Sequence, residues 1–127
     1  MFIFPDTMDA AVYDDEQSFR DDLSKILKKT YKLEKVTTRD NIISLSVDLV
    51  LEQPRLLILD YLYENGLDLP FVTPAVQHYK GWGIIYSSVD RDIIEKTMGP
   101  LPSNFFVVKK GNLLGLRKIL DSILKAG

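Results

Sequence analysis

Five side chains in this sequence could do chemistry together. Asp14 and Asp15 follow a short apolar run, Asp60 ends the stretch Leu56-Leu57-Ile58-Leu59, Ser87 follows Ile84-Ile85-Tyr86, and Lys109 follows Phe105 to Val108. Three carboxylates held close together repel one another, and their pKa values rise unless a cation joins them. A hard divalent ion such as Mg²⁺, which prefers carboxylate oxygens and water, suits that set. An ammonium and a hydroxyl beside it add a positive charge and a hydrogen-bond donor. Such a set serves phosphoryl transfer to a carboxylate. The aspartate attacks, the metal neutralises the phosphoryl oxygens, and lysine and hydroxyl each take a further oxygen.

The positioning elements follow from the hydrophobic pattern. Leu56 to Leu59 is a short, non-alternating aliphatic run, the mark of a strand buried on both faces of a parallel sheet. Ala10 to Tyr13 reads as a first strand. Phe19, Leu23, Ile26 and Leu27 then fall on one helical face, with acids early and lysines late. Leu33 to Thr37 reads as a second strand, and Thr38 as the cap of a second helix carrying Ile42, Leu45, Leu49 and Val50 and closed by Pro54. Pro74 suits the start of a third helix running to about Lys80. Ile84 to Tyr86 forms a fourth strand, and Asp90 caps a fourth helix with Ile93, Ile94 and Met98. Phe105 to Val108 forms a fifth strand, and Asn112 caps a fifth helix with Leu116, Ile119, Leu120, Ile123 and Leu124. Five β-α units in succession predict a parallel sheet covered by helices on both faces. All strands of such a sheet end at one edge, so the five polar groups converge there.

Composition bounds the rest. The 127 residues make one domain with room for a core. Residues 1–8 read as a tail or edge segment, in which Phe2, Ile3 and Phe4 precede Pro5, and residues 9–127 as the domain. The net charge of −2 gives no electrostatic pull toward nucleic acid or an anionic membrane. Without cysteine there is neither a disulfide nor a thiolate metal site, and one histidine, His78, speaks against a zinc centre. No apolar stretch reaches membrane-spanning length, and the start lacks the basic region of a signal peptide, so the cytoplasm is the expected compartment.

The Asp14-Asp15 pair, Asp60 at the end of a hydrophobic strand, Ser87 followed by the small Ser88, and Lys109 together resemble the receiver domain of bacterial two-component response regulators, over about residues 9 to 125. The resemblance implies a flavodoxin-like (βα)5 doubly wound fold. It implies that Asp60 is the phosphoacceptor, charged from the phosphohistidine of a sensor kinase or phosphotransfer protein. Asp14, Asp15 and Asp60 would hold Mg²⁺ with the backbone carbonyl of Leu62. Ser87 and Lys109 would read the phosphoryl group, and Phe106, three residues before that lysine, would be the switch aromatic. The fourth helix, fifth strand and fifth helix would face a downstream protein, a fused output domain or a second copy of the chain. The protein would be a signalling phosphoacceptor acting only on itself, not an enzyme with an external substrate. Departures are visible. Lys110 stands where the family has proline, so the choice between the two lysines rests on spacing to the fifth helix. Lys109 places Leu116 where the family has a buried leucine and Lys110 places Arg117 there, which favours Lys109. Glu64 and Asp68 replace the usual proline and glycine after the acceptor. The second reading is a degenerate receiver that takes no phosphate and acts as a protein-binding module. A haloacid-dehalogenase reading fails because Leu62 stands where a second aspartate is needed. A flavin-binding reading fails because Asp14-Asp15-Glu16 would repel a phosphate.

Overall fold

A computed structural model describes residues 8–60 and 69–124, with the side chains of residues 69–71 left aside. The chain alternates β1 (Ala10–Tyr13), α1 (Gln17–Lys25), β2 (Val36–Arg39), α2 (Leu45–Glu52), β3 (Leu56–Asp60), α3 (Leu69–His78), β4 (Trp82–Ser87), α4 (Arg91–Met98), β5 (Phe105–Lys109) and α5 (Leu113–Leu124). The five strands form one parallel sheet in the order β2-β1-β3-β4-β5. This is the parallel sheet that the alternation predicts, in the (βα)5 doubly wound, flavodoxin-like order that the resemblance implies.

Every residue of β3 is buried, as a strand covered on both faces must be. Its side chains divide by parity. Leu57 and Leu59 pack with Leu45 of α2, Val72 and Val76 of α3, and Ile94 and Met98 of α4. Leu56 and Ile58 pack with Leu23 and Leu27 on the α1 side and with Leu116 and Leu120 of α5. Between β4 and β5 the fit is tight: Gly83 lies opposite Phe105 in register, and a Cβ on Gly83 would fall 2.2 Å from the Phe105 ring.

Several element bounds differ from those read in the sequence. The second strand runs through Thr38 to Arg39, so Thr38 caps nothing. The second helix starts at Leu45, after Ser44. Gln53, in the left-handed region at φ 46°, ends that helix one residue before Pro54. Only Ile42 and Leu45 of its expected apolar face are buried. Val50 turns outward with Ile43, Val47 and Leu51. The third helix begins at Leu69 and holds Pro74 in its interior. The first helix opens into a π-type turn over Ile26–Thr30, which carries Leu27 into the core. The expected edge segment at Phe2 to Phe4, the Leu62 carbonyl, and the loop positions Glu64, Gly66 and Asp68 lie outside the described residues.

Candidate functional site

The ends of β1 and β3 are neighbours because these strands pair directly, Tyr13 opposite Leu59. The next residue on each strand is an aspartate, so the register alone brings Asp14 beside Asp60. Asp14, Asp15 and Asp60 each offer a carboxylate oxygen within 4.8 Å of the others. Asp14 and Asp60 are buried and Asp15 is exposed. The Oδ1 of Asp14 accepts the Glu16 backbone N–H at 2.8 Å. The Arg20 guanidinium donates to the Asp14 carbonyl at 2.7 Å and ties the end of β1 to α1.

Two oxygens decide what this cluster can hold. Asp14 Oδ2 and Asp60 Oδ2 are both buried and have no hydrogen-bond partner. Leaving a buried carboxylate oxygen unpaired is costly. Burial pushes the Asp14 carboxyl up to about 6, helped by the charge of Asp60. The Asp60 carboxyl is also raised, again by burial first, against the opposing pull of Lys110. A cluster of three carboxylates with two orphaned oxygens fits a divalent cation: the ion supplies the charge and the missing partners. A small cavity of about 150 Å³ opens over Asp14, Asp15 and Asp60, walled by Asp40 to Ile43. A larger apolar groove of about 800 Å³ lies elsewhere, between α2 and α3 beside Trp82, and holds no carboxylate.

The lysine at this edge is Lys110. Its Nζ lies 3.0 Å from Asp60 Oδ1 and 3.8 Å from Asp14 Oδ2. Burial lowers the affinity of this amine for its proton, but the hydrogen bond and charge of Asp60, with Asp14 and Asp15 behind it, outweigh that and raise its pKa. Lys109, the residue expected from spacing, stands away from the cluster. It is well exposed, and its Nζ lies 3.6 Å from the exposed Asp90 at the start of α4. Strand alternation is the reason. Phe105 and Val107 pack toward the α2–α4 cluster, and Lys109 continues their parity. Lys110 continues that of Val108, on the α5 side, and the turn swings it over the strand ends. The buried Leu116 was correctly expected. The turn before α5 is one residue shorter than that expectation assumed.

Ser87 ends β4 fully buried, and its Oγ accepts the Val89 N–H at 3.1 Å. Phe106 does not stand beside it. Phe106 pairs in register with Ile84, shares that residue's face of the sheet, and meets Trp82 with ring centroids 6.0 Å apart. Ser87 continues the parity of Ile85, on the other face. Three residues before Lys110 stands Val107, which has no ring to turn. His78 is exposed in α3 and Trp82 half-exposed at the far edge; neither reaches the cluster.

Besides Lys110, sequence reasoning missed Arg20 and Tyr86. Tyr86 lies opposite Asp60 in register, and its hydroxyl accepts the Gly111 N–H at 2.7 Å. Arg20 had a legible signal, four residues after Glu16 on the first helix, where it can reach back past the helix start. No helix among the described residues is long and apolar enough to cross a membrane. No protein-family model and no curated protein sequence matches the chain.

Proposed function

We propose that the chain is a phosphoacceptor receiver domain in which Asp60 takes a phosphoryl group in a Mg²⁺-dependent reaction. One observation carries the reading: a buried aspartate at the end of the central strand has two further carboxylates within 4.8 Å and an ammonium 3.0 Å away. A structural ion pair would need the lysine but not two more acids. A Asp60 oxygen attacks the phosphorus of a phosphohistidine or an acyl phosphate. The bond from phosphorus to the donor breaks, the donor leaves with that electron pair, and an aspartyl phosphate remains. Asp14, Asp15 and Asp60 would hold the Mg²⁺, whose charge neutralises phosphoryl oxygens when it is bound. Lys110 balances the charge left on the phosphoryl group, the role that spacing had given to Lys109. The Ser87 hydroxyl stands at the same edge to take a further oxygen.

A sensor histidine kinase or phosphotransfer protein is the donor this reading requires. The reader would be a downstream protein, a fused output domain or a second copy at the α4-β5-α5 face. Exposed apolar residues on α4 and α5, Ile93, Leu113 and Leu114, support such a contact. A cytoplasmic location belongs to the same proposal.

The test is intact mass after incubation with acetyl phosphate and Mg²⁺, wild type beside Asp60→Asn. The expected result is one phosphoryl group on wild type alone, lost when Mg²⁺ is chelated. Labelling retained in Asp60→Asn would refute the assignment of the acceptor. A wild type that never labels would leave the protein-binding module as the better reading.

A further inference from the structure

We infer that Tyr86 is a positioning residue that holds Lys110 over Asp60 through the backbone of Gly111. The inference rests on the phosphoacceptor reading only for the part of its test that follows labelling. The turn that delivers Lys110 has little stiffness of its own. It contains no proline, and Gly111 sits at φ +92°, a conformation that suits glycine and that glycine leaves easily. A lysine stem is long and loses much rotamer freedom when fixed, so its backbone anchor matters.

Three hydrogen bonds make that anchor. Lys110 N–H donates to the Ser87 carbonyl at 2.7 Å, and Asn112 N–H to the Lys109 carbonyl at 3.0 Å. Gly111 N–H donates to the Tyr86 hydroxyl at 2.7 Å. The Tyr86 bond is the one made by a side chain, and that side chain is rigidly seated. Tyr86 is 3% exposed, and its ring stacks on Phe19 of α1 with centroids 4.7 Å apart and planes 15° off parallel. Its backbone lies opposite Asp60 in the β3–β4 register. One residue is therefore fixed to Asp60 by its main chain and to the residue after Lys110 by its hydroxyl. The distance from acceptor to ammonium is set by this bracket. An ordinary core tyrosine would be explained by the stack on Phe19 alone. The hydroxyl aimed at the lysine turn is what that explanation leaves over.

Tyr86→Phe keeps the ring and removes the bond. The test compares wild type, Tyr86→Phe, Lys110→Ala and the double variant in two readouts. One is the rate of labelling by acetyl phosphate at saturating Mg²⁺. The other is the Mg²⁺ Kd by calorimetry, which needs no phosphoryl transfer. Tyr86→Phe should slow labelling about tenfold and tighten Mg²⁺ about threefold, because a looser ammonium neutralises Asp60 less. In the Lys110→Ala background the same change should do nothing in either readout, since a residue acting through the lysine has nothing left to act on. A Tyr86→Phe variant with wild-type values would overturn the inference. So would an effect that persists without Lys110, which would mark Tyr86 as a packing residue. If wild type binds Mg²⁺ but takes no phosphoryl group, the phosphoacceptor reading falls while the Mg²⁺ cycle still decides on Tyr86. If it does neither, both fall. Should Tyr86→Phe unfold, Phe19→Leu loosens the seat of the ring with the hydroxyl retained, and the same pattern is expected at smaller size.

Discussion

The carboxylate cluster should destabilise the protein that contains it, and Asp14→Asn measures by how much. In the folded chain the Asp14 carboxyl is raised from 3.8 to about 6, chiefly by burial. A carboxyl whose pKa is higher folded than unfolded favours folding while it is protonated. That advantage is complete below the unfolded value and is lost as pH rises through the folded one. That rise corresponds to about 3 kcal/mol at neutral pH. At pH 4, where the group is protonated in the folded state and about half ionised in the unfolded one, the difference falls to about 0.5 kcal/mol. Asparagine keeps the oxygen that accepts the Glu16 N–H and carries no charge. In EDTA, urea unfolding followed by circular dichroism should show Asp14→Asn more stable than wild type at pH 7.5 by up to about 3 kcal/mol, the gain shrinking toward pH 4. Adding Mg²⁺ should raise the stability of wild type and close the gap. A variant less stable than wild type at pH 7.5, or a gain that does not change with pH, would refute the electrostatic account.

Three other outcomes follow from the geometry. Lys110→Ala should slow labelling by acetyl phosphate by one to two orders of magnitude, while Lys109→Ala, which loses only an exposed pairing with Asp90, should label at nearly the wild-type rate; the two rates, measured side by side, settle which lysine acts. Tyr79→Phe should cost about 1 kcal/mol in urea unfolding, because the buried hydroxyl donates to the Pro54 carbonyl at 2.7 Å and its loss leaves that carbonyl short of a partner. Gly83→Ala should cost about 1–3 kcal/mol and lower the Tm, since the new methyl meets the Phe105 ring.

Most of the fold was legible because parallel strands buried on both faces leave a plain signature. Leu56 to Leu59 needs no partner sequence to be read as a central strand, and five alternations leave few topologies. The weak places were those where local pattern is ambiguous. Val36–Arg39 is only partly buried and has no apolar run, so its bounds slid. The second helix is apolar on its outer side as well, with Val47, Val50 and Leu51 exposed, so hydrophobicity could not say which face turns inward. The acids of the site were legible because strand ends in a parallel sheet share an edge. The lysine was not, because two lysines stand together and the choice turns on strand parity and on a turn whose length the sequence does not state. Alternation counted from Phe105 would have sent Lys109 toward α4. Arg20 was legible only from its place in the first turn of a helix, and Tyr86 not at all, because its hydroxyl meets a backbone N–H and no pattern of residue types reveals that bond.

Gly83 and Phe105 have a meaning for how this sequence can change over generations. They sit opposite each other in the β4–β5 register, and the ring of one occupies the volume that a side chain on the other would need. Neither can drift alone. A descendant that acquires alanine at 83 is handicapped until 105 becomes smaller, and a smaller residue at 105 leaves a hole until 83 grows. The two positions therefore behave as one heritable unit of volume. In any set of sequences descended from this one, the sizes of these two residues should run in opposite directions.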